Sequence, residues 1–301
     1  MPTAAASRAP DQIKGLTFAV LGVLVLTPDT LLMRMVGADP WTILFWRGLF
    51  VTIGYVVLLG LRYGRRLPAA VLGIGSHGLL VCALFALNTI LFVVAVATTT
   101  VANTLVIMSA APLFAAVIGR IALGERPPAR TWAAILLAMV GIVVIVADGL
   151  AVGTWIGDLV ALAAAIALGA HFVLVRAARP VDMMPAVGLS GLVVAGVALI
   201  AADSLALSPV QFGWMALLGL LILPVSFGLL TVAPIYLSAA EVGLVVLLET
   251  VLGPLWVWLV IGEQPSAYAL AGGAVVIGAL VMNFALKRRA PSPAPLPETA
   301  R

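Results

Sequence analysis

Charge is scarce in this sequence. Of 301 residues, 16 are Lys or Arg and 12 are Asp or Glu, 9% in all, against 63% hydrophobic residues. Soluble domains carry about 25% charged residues, so that balance excludes one. Cysteine is nearly absent: Cys82 stands alone, which rules out an intrachain disulfide or a Cys-based metal site. Two histidines, His77 and His171, are too few for a His-rich metal tract. No ATP-binding motif occurs, and the one G-x-G-x-x-G, at Gly73, Gly75 and Gly78, lies in an apolar stretch rather than after a strand. No cofactor is therefore expected, and these glycines are better read as small-residue helix packing. The net charge of +4 does not point to nucleic acid, because the cations sit in short loops without interleaved aromatics.

What the chain has instead is apolar length. Mean hydropathy is +1.23, and the expected partner is the lipid bilayer. A hydrocarbon core about 30 Å thick takes about 20 apolar residues per helix. The charged and Pro/Gly clusters divide the chain into ten such spans, near 13–33, 41–61, 69–96, 100–121, 129–147, 155–176, 185–203, 212–236, 240–261 and 268–286. The expected fold is all-α, a polytopic membrane protein with ten transmembrane helices. Residues 1–12 and the basic, Pro-rich 287–301 have too little apolar surface to fold and are expected to be disordered tails. With both termini on the cytoplasmic side, that side also receives Arg62, Arg65, Arg66, Arg120, Arg126, Arg130, Arg176 and Arg179. The other side receives only Arg34, so the positive-inside rule predicts a multi-pass inner-membrane protein with cytoplasmic termini.

The second half repeats the first. Residues 99–148 align with 237–286 at a constant offset of 138, placing LGERPP (123–128) on IGEQPS (261–266) and Glu125 on Glu263. Farther upstream an offset of 142 places Gly15 on Gly157 and Arg34 on Arg176. This predicts repeats of five helices over 13–148 and 155–286, joined by a non-cytoplasmic connector at 149–154. Five is odd, so the two copies must be inverted, the arrangement that lets two halves exchange access around a midplane site.

The stretch AEVGLVVLLETVLGPLWVWLVIGEQPS (240–266), with APLFAAVIGRIALGERPP (111–128) at the matching place, resembles the EamA-type drug/metabolite transporter superfamily. The resemblance implies ten helices, cytoplasmic termini, and export or exchange of small metabolites, amino acids being the best represented substrates. Drugs, nucleosides and other metabolites are the alternative. Many members have Glu-Pro in the ninth helix, where this chain has Glu249-Thr250 and then Pro254, so its helix break is expected about one turn later. The cavity is expected between spans 1, 3, 4, 6, 8 and 9, partly from the resemblance and partly from polar placement.

Prolines interrupt only four spans, as Pro28, Pro112, Pro224, Pro234 and Pro254, and are the candidate hinges. Glu249 falls about ten residues into the ninth span, near the midplane, where a carboxylate must be protonated, paired or wet. It is the leading candidate for substrate contact or proton coupling, with Glu241, Val245, Leu252 and Trp256 on its helical stripe. Asn88, Asn103, His77 and His171 are further candidates for the cavity, and Asp29 with Arg47 is expected to form a structural ion pair. Glu125 and Glu263, between a glycine and prolines, read as helix-end residues. A remote rival is an intramembrane serine protease, from the GxSG run Gly188-Leu189-Ser190-Gly191.

Overall fold

The computed structural model describes residues 8–98, 101–125, 127–147, 155–178 and 181–262, with scattered positions between 267 and 282. All regular structure among them is helical. The first span is split into α1 (Arg8–Leu26) and α2 (Asp29–Val36), and the second runs as α3 (Pro40–Tyr63), a 3-10 turn at Gly64–Arg66, and α4 (Leu67–Leu72). There follow α5 (Gly75–Thr98), α6 (Val101–Met108) and α7 (Ala111–Leu123) as the two parts of the fourth span, and α8 (Ala129–Ala147). The second half comprises α9 (Trp155–Ala177), α10 (Met184–Ala201), α11 (Pro209–Ala216), a π-helical stretch at Leu217–Ile222, α12 (Leu223–Tyr236), α13 (Ala239–Val246) and α14 (Leu248–Ile261).

Local chemistry sets these ends. Asp39 caps α3 by accepting from the Trp41 and Thr42 amides, with Pro40 in the first turn, where a missing N–H costs nothing. Ser208 with Gln211, and Ser238 with Glu241, close capping boxes at α11 and α13. Glu241 is thereby committed to a helix end. The break at Leu247 also separates its helix from that of Glu249, so the expected continuous stripe does not form.

Among the described residues, seven stretches are long and apolar enough to cross a bilayer: Gln12–Val36, Pro40–Leu72, Gly75–Thr98, Leu159–Ala177, Met184–Ala201, Pro209–Tyr236 and Glu241–Val260. Ala111–Leu123 and Ala129–Gly141 are apolar but shorter. The tenth expected span falls on residues described only at scattered positions. One boundary is corrected: the third span starts at Gly75, not 69, because residues 67–72 form α4 on the end of α3 and Gly75 reverses the chain at φ +61°. The glycines of the G-x-G-x-x-G run thus belong to a turn and the helix start after it, not to the interior of a span.

The helices pack as a bundle, α3 on α10, α5 on α9, α1 on α12, and α7 against both α9 and α13. Tyr55, Phe85, Phe172, Val187, Leu223 and Leu230 lie in its core. Outward faces are apolar too; Leu61, Leu72, Ile121 and Ile200 are each at least 80% exposed. Apolar side chains on both faces suit a protein whose solvent is lipid. One end of the bundle carries Arg62, Arg65, Arg66, Arg120 and Arg176, and is called the basic end below.

Candidate functional site

Among the described residues, four spans are interrupted within their length. In the first, α1 stops at Leu26 and α2 starts at Asp29, with Pro28 at the junction. In the fourth, α6 gives way to α7 just before Pro112. The eighth passes through the π-helical stretch into Pro224. The ninth breaks at Leu247, ahead of Glu249 and seven residues before Pro254. The expectation of a later break, set by Pro254, is thus corrected; the side chain of Pro254 itself lies outside the described residues. Ser109 and Leu247, in the two junctions, are related by the repeat offset of 138. Pro234 lies inside α12, one turn from its end.

These breaks expose helix N-termini inside the bundle, and acidic side chains occupy two of them. Asp29 is in the first turn of α2 and Glu249 in the first turn of α14. The partial positive charge of a helix N-terminus favours a carboxylate there. Arg47, on α3, donates from Nη1 to Asp29 Oδ1 at 2.5 Å and from Nη2 to Oδ2 at 2.7 Å, a two-pronged pair with both side chains buried. Arg47 Nη1 also approaches Met33 Sδ at 3.3 Å. Glu249 lies in the electrostatic field of both Asp29 and Arg47. Trp256, also on α14, donates from Nε1 to Thr27 Oγ1 at 2.6 Å, and that hydroxyl donates to the Leu24 carbonyl at 2.9 Å. The break of the first span is therefore tied by side chains to α14 of the ninth.

A small cavity of about 20 Å³ adjoins this group, lined by Arg47, Gly48, Thr89, Ser190, Phe85 and Phe227 among others. That volume holds about one water. Its walls come from the second, third, seventh and eighth spans, so only two of the six spans expected around a cavity line this one. Phe85 packs edge-on against Phe227 at 4.7 Å and beside the His171 ring at 4.9 Å.

The other candidates are distributed as follows. His171 is buried on α9 and has no partner at Nδ1. Asn88 is buried on α5, one turn beyond Phe85, with no partner at Oδ1. His77 is exposed in the first turn of α5 and does not join them. The side chain of Asn103 lies outside the described residues, as does Glu263.

At the basic end a second polar group involves Arg176, which the sequence placed only among the cytoplasmic charges and opposite Arg34 in the repeat. Arg176, in the last turn of α9, donates through Nε to the Glu125 carboxylate and through Nη1 to the carbonyls of Leu237 and, at 3.1 Å, Pro234. Glu125 follows the left-handed Gly124 that ends α7, so it does stand at a helix end, but its carboxylate reaches across to α9. The signal available was the repeat, which carries an Arg and a Glu at matching places in both halves.

The EamA-like transporter family matches residues 13–147 and 155–285, two copies that span most of the chain. The chain belongs to the EamA-like transporter family. A solved crystal structure 20% identical to this chain covers 94% of it and is itself covered completely, with a TM-score of 0.77, a likeness of fold. No curated protein sequence matches. An EamA-like protein is a membrane transporter of small molecules and not an enzyme. The geometry explains the GxSG run differently: Ser190 Oγ donates to the Val187 carbonyl at 2.6 Å. Gly188 and Gly191 lie where a Cβ would collide with Tyr55 and with the Gly48 carbonyl. The run is a close contact between α10 and α3.

Proposed function

We propose that this EamA-like transporter moves amino acids and related small metabolites out of the cell by alternating access, with both termini cytoplasmic in the cell membrane. The repeats at 13–148 and 155–286 are the two rocking units, and the interrupted spans are where they bend. The observation that carries the substrate class is the set of acidic and basic side chains near the breaks of spans one and nine: the buried Asp29–Arg47 pair, and Glu249 in the first turn of α14. A zwitterion is a fitting guest for such a group, its ammonium facing a carboxylate and its carboxylate facing a guanidinium or a helix N-terminus. With no ATP-binding motif in the sequence, the drive is the substrate gradient or a proton gradient.

A second reading, export of bulkier amphipathic drugs or nucleosides, is favoured by the aromatic pair Phe85 and Phe227 at the cavity. Uptake of labelled amino acids by purified protein in liposomes, with and without an imposed pH gradient, decides between them. Saturable uptake of an amino acid supports the first reading. Failure across the panel, with flux of an aromatic drug or nucleoside, replaces it with the second.

A further inference from the structure

Helices α7, α9 and α13 pack closely on the basic side of the breaks, and one guanidinium ties the helix ends beyond them. Gly243 on α13 sits against Pro112 of α7, where a Cβ would come within 3.0 Å of the proline ring, and Gly169 on α9 presses equally close on the α7 backbone. At the rim of this half, Arg176, from α9, binds two other elements at once: the Glu125 carboxylate beyond the end of α7 and the last carbonyls of α12. Each of these helices ends here, so three sets of unpaired carbonyls and three negative dipole ends converge. A guanidinium, with five N–H donors in a planar fork, satisfies several of these acceptors together, and Glu125 balances its charge.

Spans four and six carry this group, and the inverted repeat places its counterpart on spans nine and one. Arg34 corresponds to Arg176, and both lie in the last turn of their spans. Glu263 corresponds to Glu125, each following a glycine with positive φ.

We propose that Arg176 and Glu125 form the latch that holds the basic end closed. The proposal rests on the alternating-access reading and not on the choice of substrate. Opening toward the basic end requires the guanidinium to leave Glu125 and the carbonyls of Pro234 and Leu237, which regain water as they separate. The same residues therefore set which face the carrier shows at rest, and substituting the latch shifts the resting population toward opening at its own end.

The test needs no substrate. Cys82→Ala removes the sole cysteine, and Thr231→Cys, buried on α12 one turn inside Pro234, or Thr89→Cys, at the cavity, supplies a reporter. A membrane-impermeant maleimide is applied to vesicles from either face. Arg176→Gln is expected to speed labelling of Thr231→Cys from the basic end about tenfold, the scale of losing charge-assisted hydrogen bonds in a two-state equilibrium. Glu125→Gln, which leaves the carbonyl bonds in place, has a smaller effect in the same direction. Labelling of Thr89→Cys from the opposite face falls in the same variants. Unchanged labelling of Thr231→Cys overturns the latch, as does a rise from both faces, which reports a loosened fold. A rise at position 231 with no change at 89 upholds the latch and sinks alternating access instead.

Discussion

Gly124 and Gly262 stand 138 positions apart in the chain and end their helices in the same way, each in the left-handed region, at φ +64° and +82°. A Cβ at either would meet nothing within 4 Å. Substitution therefore meets a conformational penalty and no steric one. Gly124→Ala and Gly262→Ala are each expected to cost about 1–2 kcal/mol, and asparagine, which tolerates this region, less. Thermal unfolding of the purified protein in detergent checks the order glycine, asparagine, alanine. Equal midpoints for all three would show that neither helix end depends on that backbone conformation.

Close approach of two backbones makes a different demand. An added Cβ at Gly48 would lie 2.5 Å from the Gly191 carbonyl oxygen, and one at Gly191 would lie 2.4 Å from the Gly48 carbonyl oxygen. Either alanine must push α3 and α10 apart, so each is expected to cost about 1–3 kcal/mol or more. Gly60, on the same helix as Gly48, has open space around it, and Gly60→Ala serves as the control, neutral or stabilising by up to about 1 kcal/mol. The unfolding midpoints of the three variants separate packing from helix propensity.

The Asp29–Arg47 pair is buried on both sides, with side chains 3% and 5% exposed. Removing one partner leaves the other charge without compensation, so Asp29→Leu or Arg47→Met alone is expected to cost about 3–5 kcal/mol, and the double variant much less. Size-exclusion profiles in detergent report this as loss of monodisperse protein in the singles and recovery in the double. If the double behaves like the worse single, Arg47 contributes through the cavity it lines and not chiefly through Asp29.

Much of the architecture was legible because its causes are local. Apolar length marks spans, and Pro28, Pro112 and Pro224 mark places where the helix ladder cannot continue. Three features were not legible for physical reasons. The break at Leu247 has no proline at its junction and shows only through its relation to Ser109 by the repeat offset. His77 could not be placed because α5 is apolar all round, so periodicity does not say which face is covered. Arg176 meets Glu125 across 51 residues of chain, and a Gly-Glu-Arg-Pro run describes the helix end without revealing what the carboxylate reaches.

Glu249 separates a transport role from a structural one. It stands in the first turn of α14, where the helix N-terminus stabilises negative charge, within electrostatic reach of the Asp29–Arg47 pair. A carboxylate that served only to tie helices together would be needed for folding. One that meets the substrate or carries a proton would be needed for flux and dispensable for folding. Glu249→Gln keeps the shape and most hydrogen-bonding capacity while removing the charge. The expected result is a monodisperse protein with a wild-type unfolding midpoint and amino-acid uptake reduced at least about tenfold, the scale of one charged hydrogen bond lost from a bound ligand. Glu249→Asp should recover part of the uptake, since it restores the charge one methylene short. Wild-type flux with unchanged pH dependence in the Gln variant would remove Glu249 from the transport site and leave the ammonium of the substrate to other acceptors, of which the unpaired Asn88 Oδ1 and His171 Nδ1 are the first to test.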